Sequence, residues 1–126
     1  MSSSLFEDVC QDIIGLDKTI RFAGIANMRR TIVSAKYRAE LAPLLTQEET
    51  IESIEHSVSR MSTRRLLEAK LGKTIYSITF YEKVKRAVLP LGKNGDFILM
   101  VSFDNEANHD SIIRNKIMPL ISYDQI

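Results

Sequence analysis

Residues 74–103 read TIYSITFYEKVKRAVLPLGKNGDFILMVSF, and this stretch decides the fold. Most of its residues are β-branched, aromatic or otherwise apolar, and such side chains suit the pleated, half-buried surface of a sheet. Asn94-Gly95 is a strong hairpin signal because both residues tolerate positive φ. The pattern predicts an antiparallel meander of three strands, over residues 74–81, 84–91 and 97–103.

The first of these strands, residues 74–81, has one apolar face and one weakly polar face. Three large apolar side chains alternate along the first face, whereas Ser77 and Thr79 lie on the other. The strand contains neither the lysines nor the prolines that commonly protect a free sheet edge from pairing. We therefore expect a partner to cover this strand.

Two more strands are predicted upstream, over residues 19–26 and 31–36. Gly24 lies inside the first of them and indicates a bulge or a close backbone approach. The predicted sheet therefore has five strands.

Helices are predicted on either side of these strands. Apolar residues at helical spacing indicate a first helix near the N-terminus and a last helix around residues 112–121, kinked or ended by Pro119. Thr46 and Glu49 form a capping box that begins a long helix over residues 47–71. Its apolar periodicity drifts after Met61, which predicts a kink or fray near residues 62–63.

The element order is helix, two strands, long helix, three strands and helix. It predicts one α+β domain over residues 1–126, with helices packed on a five-stranded antiparallel sheet. At 44% hydrophobic and 26% charged residues, the chain can build a single core without disulfides or metals.

Charge and cysteine content bound the cellular setting. A net charge of +1 argues against any global electrostatic attraction to nucleic acid or anionic membranes. Cys10 is the only cysteine, which favours a reducing compartment. Neither a signal peptide nor an apolar run of about 20 residues is visible, so we expect a cytoplasmic protein with no membrane partner.

No constellation in the sequence predicts catalysis. The chain has no glycine-rich phosphate loop, no CxxC pair and no nucleophile motif. His56 and His109 are far apart in sequence and no second cysteine accompanies them, so a metal site is not expected. We therefore expect a protein that is not an enzyme and uses no cofactor.

The long helix carries a division of charge that suits self-association. Glu48, Glu49, Glu52 and Glu55 lie in its first half, and Arg60, Arg64, Arg65 and Lys70 lie in its second. An antiparallel second copy would set each acidic half against a basic half. The alternative is that the charges only complement the helix dipole, which is worth about 0.3–1 kcal/mol per charge.

Small residues at helical spacing offer a place for close helix approach. Thr50, Ser53 and Ser57 lie beside an apolar stripe. The residues of that stripe serve either the domain's own core or a dimer seam. For the small residues themselves, the alternative is a face exposed to solvent. The dimer interface predicted from the helix and the first meander strand comprises Thr50, Ser53, Ile54, Ser57, Val58, Arg60, Met61, Arg64, Ile75, Ser77 and Thr79.

A basic surface gives the main alternative function. Arg64, Arg65 and Arg86 are predicted to form a patch for an anionic partner, which would make the chain a nucleic-acid-binding protein. The absence of aromatic residues between the arginines argues against that interpretation. A small-ligand sensor is a further alternative, because a sheet with helices packed on it can enclose a pocket.

The element order resembles the roadblock family of dynein light-chain-like domains, which have a roadblock/profilin-like fold. The resemblance includes the segment at residues 84–103, where a strand ending in Pro-Leu-Gly, an Asn-Gly turn and an apolar strand follow one another. Residues 24–30, Gly-Ile-Ala-Asn-Met-Arg-Arg, also resemble a stretch of small uncharacterised archaeal proteins.

The roadblock resemblance implies a non-enzymatic homodimer. Such domains pair through the long helix, with two copies antiparallel, and through the third strands, which join into one continuous sheet. They act as scaffolds or regulators for small GTPases and for motor or signalling complexes, so a small GTPase-like protein is the implied partner.

Overall fold

The structure, a computed structural model, describes residues 3–123. The strands are β1 (Ile20–Asn27), β2 (Ile32–Tyr37), β3 (Ser77–Phe80), β4 (Val84–Leu91) and β5 (Phe97–Asp104). The helices are α1 (Ser3–Ile14), α2 (Gln47–Arg65), α3 (Glu68–Leu71), α4 (His109–Ile112) and α5 (Met118–Tyr123), with a π-helical segment, Ile113–Ile117, between the last two. The predicted element order and α+β class are confirmed.

The five strands form one antiparallel sheet in the order β2-β1-β5-β4-β3. The nearly all-apolar β5 lies at its centre, where both faces are covered. The meander β3-β4-β5 forms one half, as predicted, and the hairpin β1-β2 forms the other. This order leaves β3 and β2 as the two edges.

The two faces of the sheet carry separate cores. On one face, here called the α1 face, α1 and the C-terminal helices bury a large cluster that includes Ile13, Leu99 and Ile117. On the other, here called the α2 face, α2 buries a smaller cluster centred on Ile54 and Met100. The smaller cluster draws on β1, β4 and β5, so α2 lies over the middle of the sheet and leaves β3 uncovered.

Gly24 leaves room for the ring of Phe22, which lies over it from two residues earlier on the same strand. A Cβ atom at this position would lie 2.7 Å from Cζ of Phe22 and 3.7 Å from Cδ1 of Ile54. The pairing of β1 with β2 also shifts register between Ile25 and Ala26. The close approach at Gly24 is made by a side chain of its own strand rather than by another backbone, and the register shift lies just beyond it in the same strand.

The long helix is shorter than predicted, and the kink or fray expected near residues 62–63 is instead a break at residues 66–67. α2 runs unbroken from the Thr46 capping box to Arg65, and a turn at Leu66 and Leu67 separates it from α3. Leu66 is 82% exposed, so its side chain makes little apolar contact that would stabilise another regular helical turn there. The side chain of Arg65 instead donates to the carbonyl of Gly95, which anchors the helix end to the β4–β5 turn.

The final helix accommodates Pro119 through irregularity rather than termination. The π-helical segment Ile113–Ile117 precedes the proline, and α5 continues beyond it to Tyr123. Proline lacks the N–H that a regular helix would use at this position, and the rarer π-helical turn lies directly before it.

Candidate interaction site

The outer side of β3 is a sheet edge with free backbone groups. The amide of Tyr81 donates to the carbonyl of Val84 at 2.9 Å. In an antiparallel ladder alternate residues bond to the same neighbour, so Ser77 and Thr79 also bond towards β4. The backbone groups of Ile78 and Phe80 therefore point away from the sheet, where no other strand described by the structure pairs with them.

Large apolar side chains surround this edge. Phe80 is 64% exposed, and Ile75 and Tyr81, which flank the strand, are each 54% exposed. The exposed leucines of the turn after α2 and of α3 precede the strand in sequence: Leu66, Leu67 and Leu71. Exposed apolar side chains beside an unpaired strand mark a surface that another protein chain can cover.

The structure changes the predicted dimer seam on α2. Five of its predicted members are buried against the chain's own sheet and cannot reach a partner: Thr50, Ile54, Ser57, Val58 and Met61. The Thr50 hydroxyl lies 2.7 Å from the Tyr37 hydroxyl, and Ser57 is only 2% exposed. The small residues thus let the helix approach its own sheet rather than a second helix.

The flank of α2 that faces the β3 side of the sheet carries a different stripe. Glu52, His56 and Arg60 follow one another at four-residue spacing and are all exposed. They line a cleft of about 300 Å³ whose other side is formed by Tyr81 and Arg86. Of this stripe, only Arg60 was predicted from the sequence as a seam residue.

Arg86 joins β4 to this flank of α2. Its Nη1 donates to Oγ of Ser53 at 2.6 Å, and its Nη2 lies 2.8 Å from Sδ of Met100. Arg86 takes part in none of the three ion pairs found within residues 3–123. Burial lowers the pKa of its guanidinium below the usual value, and the nearby Tyr81 opposes that shift.

The predicted anionic-partner patch is not assembled. Arg65 is held by the Gly95 carbonyl, whereas Arg86 contacts Ser53 near the other end of α2. Arg64 follows Ser53 by eleven residues, which is about 16 Å along a helix rising 1.5 Å per residue. The three arginines therefore do not share one surface.

The remaining predicted seam residues are at least partly exposed. Ser77 and Thr79 point to the α2 face beside Val88 and Arg86, because each pairs directly with one of those residues. Thr79 and Arg60 are exposed, and Ser53, Arg64 and Ser77 are half-buried. These residues, with Ile75, are free to meet a second chain.

On the α1 face, His109 packs beside the β3 edge. Its ring lies edge-on to that of Phe80 at 5.3 Å between centroids, and its Nδ1 lies 3.3 Å from Nζ of Lys85. Desolvation first, and the Lys85 charge second, lower the pKa of His109. Within residues 3–123 no three metal-ligating side chains lie close enough to hold an ion.

None of the helices in the described part of the chain is both long and apolar enough to cross a membrane.

Solved structures resemble this chain over almost its whole length. The gliding protein MglB of Thermus thermophilus superimposes with a TM-score of 0.73 at 12% identity, over 95% of this chain and 87% of that one. A roadblock/LC7 domain from Streptomyces avermitilis gives 0.72 at 11% identity, over 92% and 91%. An MglB with a tetrameric arrangement gives 0.66 at 15% identity, over 91% and 86%.

No protein-family model matches the sequence, and no curated protein matches it significantly. The comparisons give no support to the archaeal resemblance of residues 24–30, since the organisms they name are bacteria. The structural likenesses confirm the resemblance drawn from the order of elements. The chain has the roadblock/LC7 fold.

Proposed function

We propose that this chain is a non-enzymatic interaction module that works as a homodimer, assembled through the β3 edge and the outer flank of α2. The observation that carries the proposal is the edge itself. Ser77–Phe80 is uncharged, its outer backbone groups are free, and exposed apolar side chains flank it.

Symmetry restricts how two such edges pair. When two β3 strands pair antiparallel about a two-fold axis, the α2 face of one sheet must continue into the α2 face of the other. Odd-numbered residues then lie opposite odd-numbered ones, because a shift of one residue would bring opposite faces together. Hydrogen bonding imposes the same register, because the outward backbone groups belong to the even-numbered residues Ile78 and Phe80, which must lie opposite even-numbered residues of the second chain. Either Ile78 or Thr79 therefore lies opposite its own copy, near the centre of a ten-stranded sheet.

The helices would then meet above the joined strands. Glu52 and Arg60 are symmetrically placed about His56 in the exposed stripe. In an antiparallel pair of α2 helices centred on His56, each Glu52 faces the partner's Arg60. The acidic first half and basic second half of the long helix would thus pair through Glu52 and Arg60, which the structure leaves exposed.

The regulatory role rests on the likeness to roadblock domains. Such domains act as scaffolds or regulators, so we infer that the dimer binds a protein of the small GTPase class without hydrolysing nucleotide itself. One structure of the MglB neighbours is described as tetrameric, so assembly occurs on this fold. The single, buried Cys10 supports a reducing, cytoplasmic setting.

Cysteine cross-linking tests the edge pairing. Thr79→Cys should form a disulfide-linked dimer if Thr79 lies opposite its copy, where Cα atoms are about 4.5–5.5 Å apart. If Ile78 occupies the centre, the double variant Ser77→Cys/Thr79→Cys should cross-link instead. Ala35→Cys, exposed on the opposite edge strand, is the matched control. Cross-linking of Ala35→Cys alone would contradict the proposal.

The regulatory proposal has its own test. Small GTPases encoded in the same genome would be purified, and their single-turnover GTP hydrolysis and nucleotide release would be measured with and without the chain. We expect at least a tenfold change in one rate for one of them, and no GTP hydrolysis by the chain alone. No change for any of them, with dimerisation intact, would reject the GTPase role while leaving the dimer standing.

A further inference from the structure

A second cleft, of about 390 Å³, opens on the α2 face and adjoins the one beside His56, with which it shares Leu45, Tyr81 and Arg86. It lies where β1 begins and β5 ends, and its inner walls include Phe22, Tyr37 and Val84. Its outer wall is residues 41–45, the segment between β2 and α2. The volume and the largely apolar lining are those of small-molecule sites, which span about 300–1,000 Å³.

The outer wall is a strap anchored at both ends. Upstream, the Arg38 guanidinium donates to the carbonyls of Ile14, Asp17 and Ile20 at 2.6–2.7 Å. Downstream, Thr46 closes the capping box of α2. Leu44 of the strap is 57% exposed and borders the cleft, so its apolar surface gains most if a ligand covers it.

The charges at the cleft select a type of ligand. Three cations line it, Arg21, Lys83 and Arg86, together with one carboxylate, that of Glu82. Glu82 and Lys83 are neighbours of opposite sign in the exposed turn between β3 and β4. Arg21 is already paired with Asp104 at 2.8 Å, whereas Arg86 contacts the neutral side chains of Ser53, Met100 and Tyr81 and takes part in no ion pair within residues 3–123. A half-buried guanidinium without a counter-ion favours an anion that can supply negative charge and accept its hydrogen bonds.

We propose that the cleft binds a small amphipathic carboxylate, of the kind of a medium-chain fatty acid, with the carboxylate at Arg86 and the apolar body under residues 41–45. The cleft residues belong to one chain, so this inference does not depend on the proposed dimer. It adds a ligand to a fold whose proposed role is protein association.

Calorimetric titration with decanoate, and with decanol as the neutral analogue, tests the proposal on the full chain. We expect saturable binding of decanoate and at least tenfold weaker binding of decanol. Arg86→Gln should weaken decanoate binding at least tenfold and leave decanol binding unchanged. Arg29→Gln, which removes a positive charge in the exposed β1–β2 turn outside the cleft, should change neither.

A strap variant serves if Arg86→Gln does not fold. Leu44→Glu places a negative charge at an exposed wall position, and it should weaken decanoate binding at least fivefold. Leu71→Glu, at an exposed leucine outside the cleft, should not. Equal binding of decanoate and decanol, or no saturable binding of decanoate, would overturn the proposal. Binding of decanoate to a monomeric variant but not to the wild type would show that a second chain covers the cleft in the dimer, and this result would also overturn the proposal.

Discussion

The guanidinium of Arg86 donates to the hydroxyl of Ser53 at 2.6 Å and so joins strand β4 to helix α2. Sequence reasoning assigned these residues to two different surfaces, an anionic-partner patch and a dimer seam. Ser53 lines the cleft beside His56, and Arg86 lies at the boundary between the two clefts. Arg86 thus connects the proposed dimer surface with the proposed ligand site.

The Ser53–Arg86 contact predicts an asymmetric response to mutation. Ser53→Ala leaves a half-buried guanidinium without its hydroxyl acceptor, and it should lower the free energy of unfolding by about 1 kcal/mol. Arg86→Met removes the charge with its desolvation cost, so we expect a change of less than about 1 kcal/mol. Urea unfolding of both variants measures the difference; a larger loss for Arg86→Met would contradict the account.

Gly24→Ala tests the close packing of the Phe22 ring over Gly24 in β1. The new methyl would lie 2.7 Å from Cζ of the buried Phe22, so the ring must shift, at a cost of about 1–3 kcal/mol. Gly15→Ala is the control because its Cβ would lie at an ordinary 3.5 Å from the nearest carbonyl oxygen. Thermal unfolding should show a lower Tm for Gly24→Ala only, and equal values would refute the close approach.

Arg38 is predicted to be a structural anchor. It donates to carbonyls of Ile14, Asp17 and Ile20, so Arg38→Ala leaves the end of α1 and the start of β1 without these bonds. We expect a loss of about 2–3 kcal/mol in the free energy of unfolding. Arg29→Ala, in the exposed β1–β2 turn, should stay within about 0.5 kcal/mol. Similar losses for the two would show that the anchor is not important.

Cys10 should be inert in the native protein and should make stability depend on alkaline pH. Burial raises the pKa of its thiol from 9.0 to about 11, with Ser34 and Lys36 opposing the shift. Between these two values the unfolded chain loses a proton that the folded chain keeps, so stability falls as the pH rises. Cys10→Ala should reduce that slope.

Thiol labelling provides an independent check on Cys10. A disulfide reagent at pH 8 should react with the unfolded chain at once and with the native chain only at its rate of opening. Rapid native labelling would contradict the burial of Cys10. The same inertness makes the cross-linking variants informative without removal of this cysteine.

Charge exchange tests the α2 stripe. Glu52→Arg and Arg60→Glu should each weaken the dimer, because each sets like charges against each other across an antiparallel seam. The double variant Glu52→Arg/Arg60→Glu should restore association, because it exchanges the two signs. Dilution monitored by light scattering measures the dissociation constants; failure of the double variant to recover would exclude the pairing about His56.

The sequence predicted the parts of the fold that local chemistry determines. The Asn94-Gly95 turn, the Thr46 capping box and the alternation along 84–91 all specify their elements within a few residues. It could not predict which way the small residues of α2 face. Thr50 and Ser57 lie beside the apolar stripe, and only the position of the sheet decides that they are buried.

Long-range contacts account for the other differences. The bonds of Arg38 to three carbonyls have no local signature, because its partners precede it by up to 24 residues. The end of α2 depends on the contact between Arg65 and Gly95, thirty residues apart. Residues 74–76 and Tyr81 were expected in β3, but that strand is Ser77–Phe80 and begins after the Thr74 amide has bonded to Glu68.

Molar mass by light scattering during size exclusion tests the central claim most directly. Phe80→Pro removes an outward N–H on the β3 edge. Ala35→Pro removes the equivalent group on β2: the Arg38 amide donates to Arg21 of β1, and inward and outward N–H groups alternate along a strand, so the N–H of Ala35 points outward. We expect twice the chain mass of 14.3 kDa for the wild type and for Ala35→Pro, and 14.3 kDa for Phe80→Pro. A monomeric wild type, or a dimer that survives Phe80→Pro but not Ala35→Pro, would contradict it.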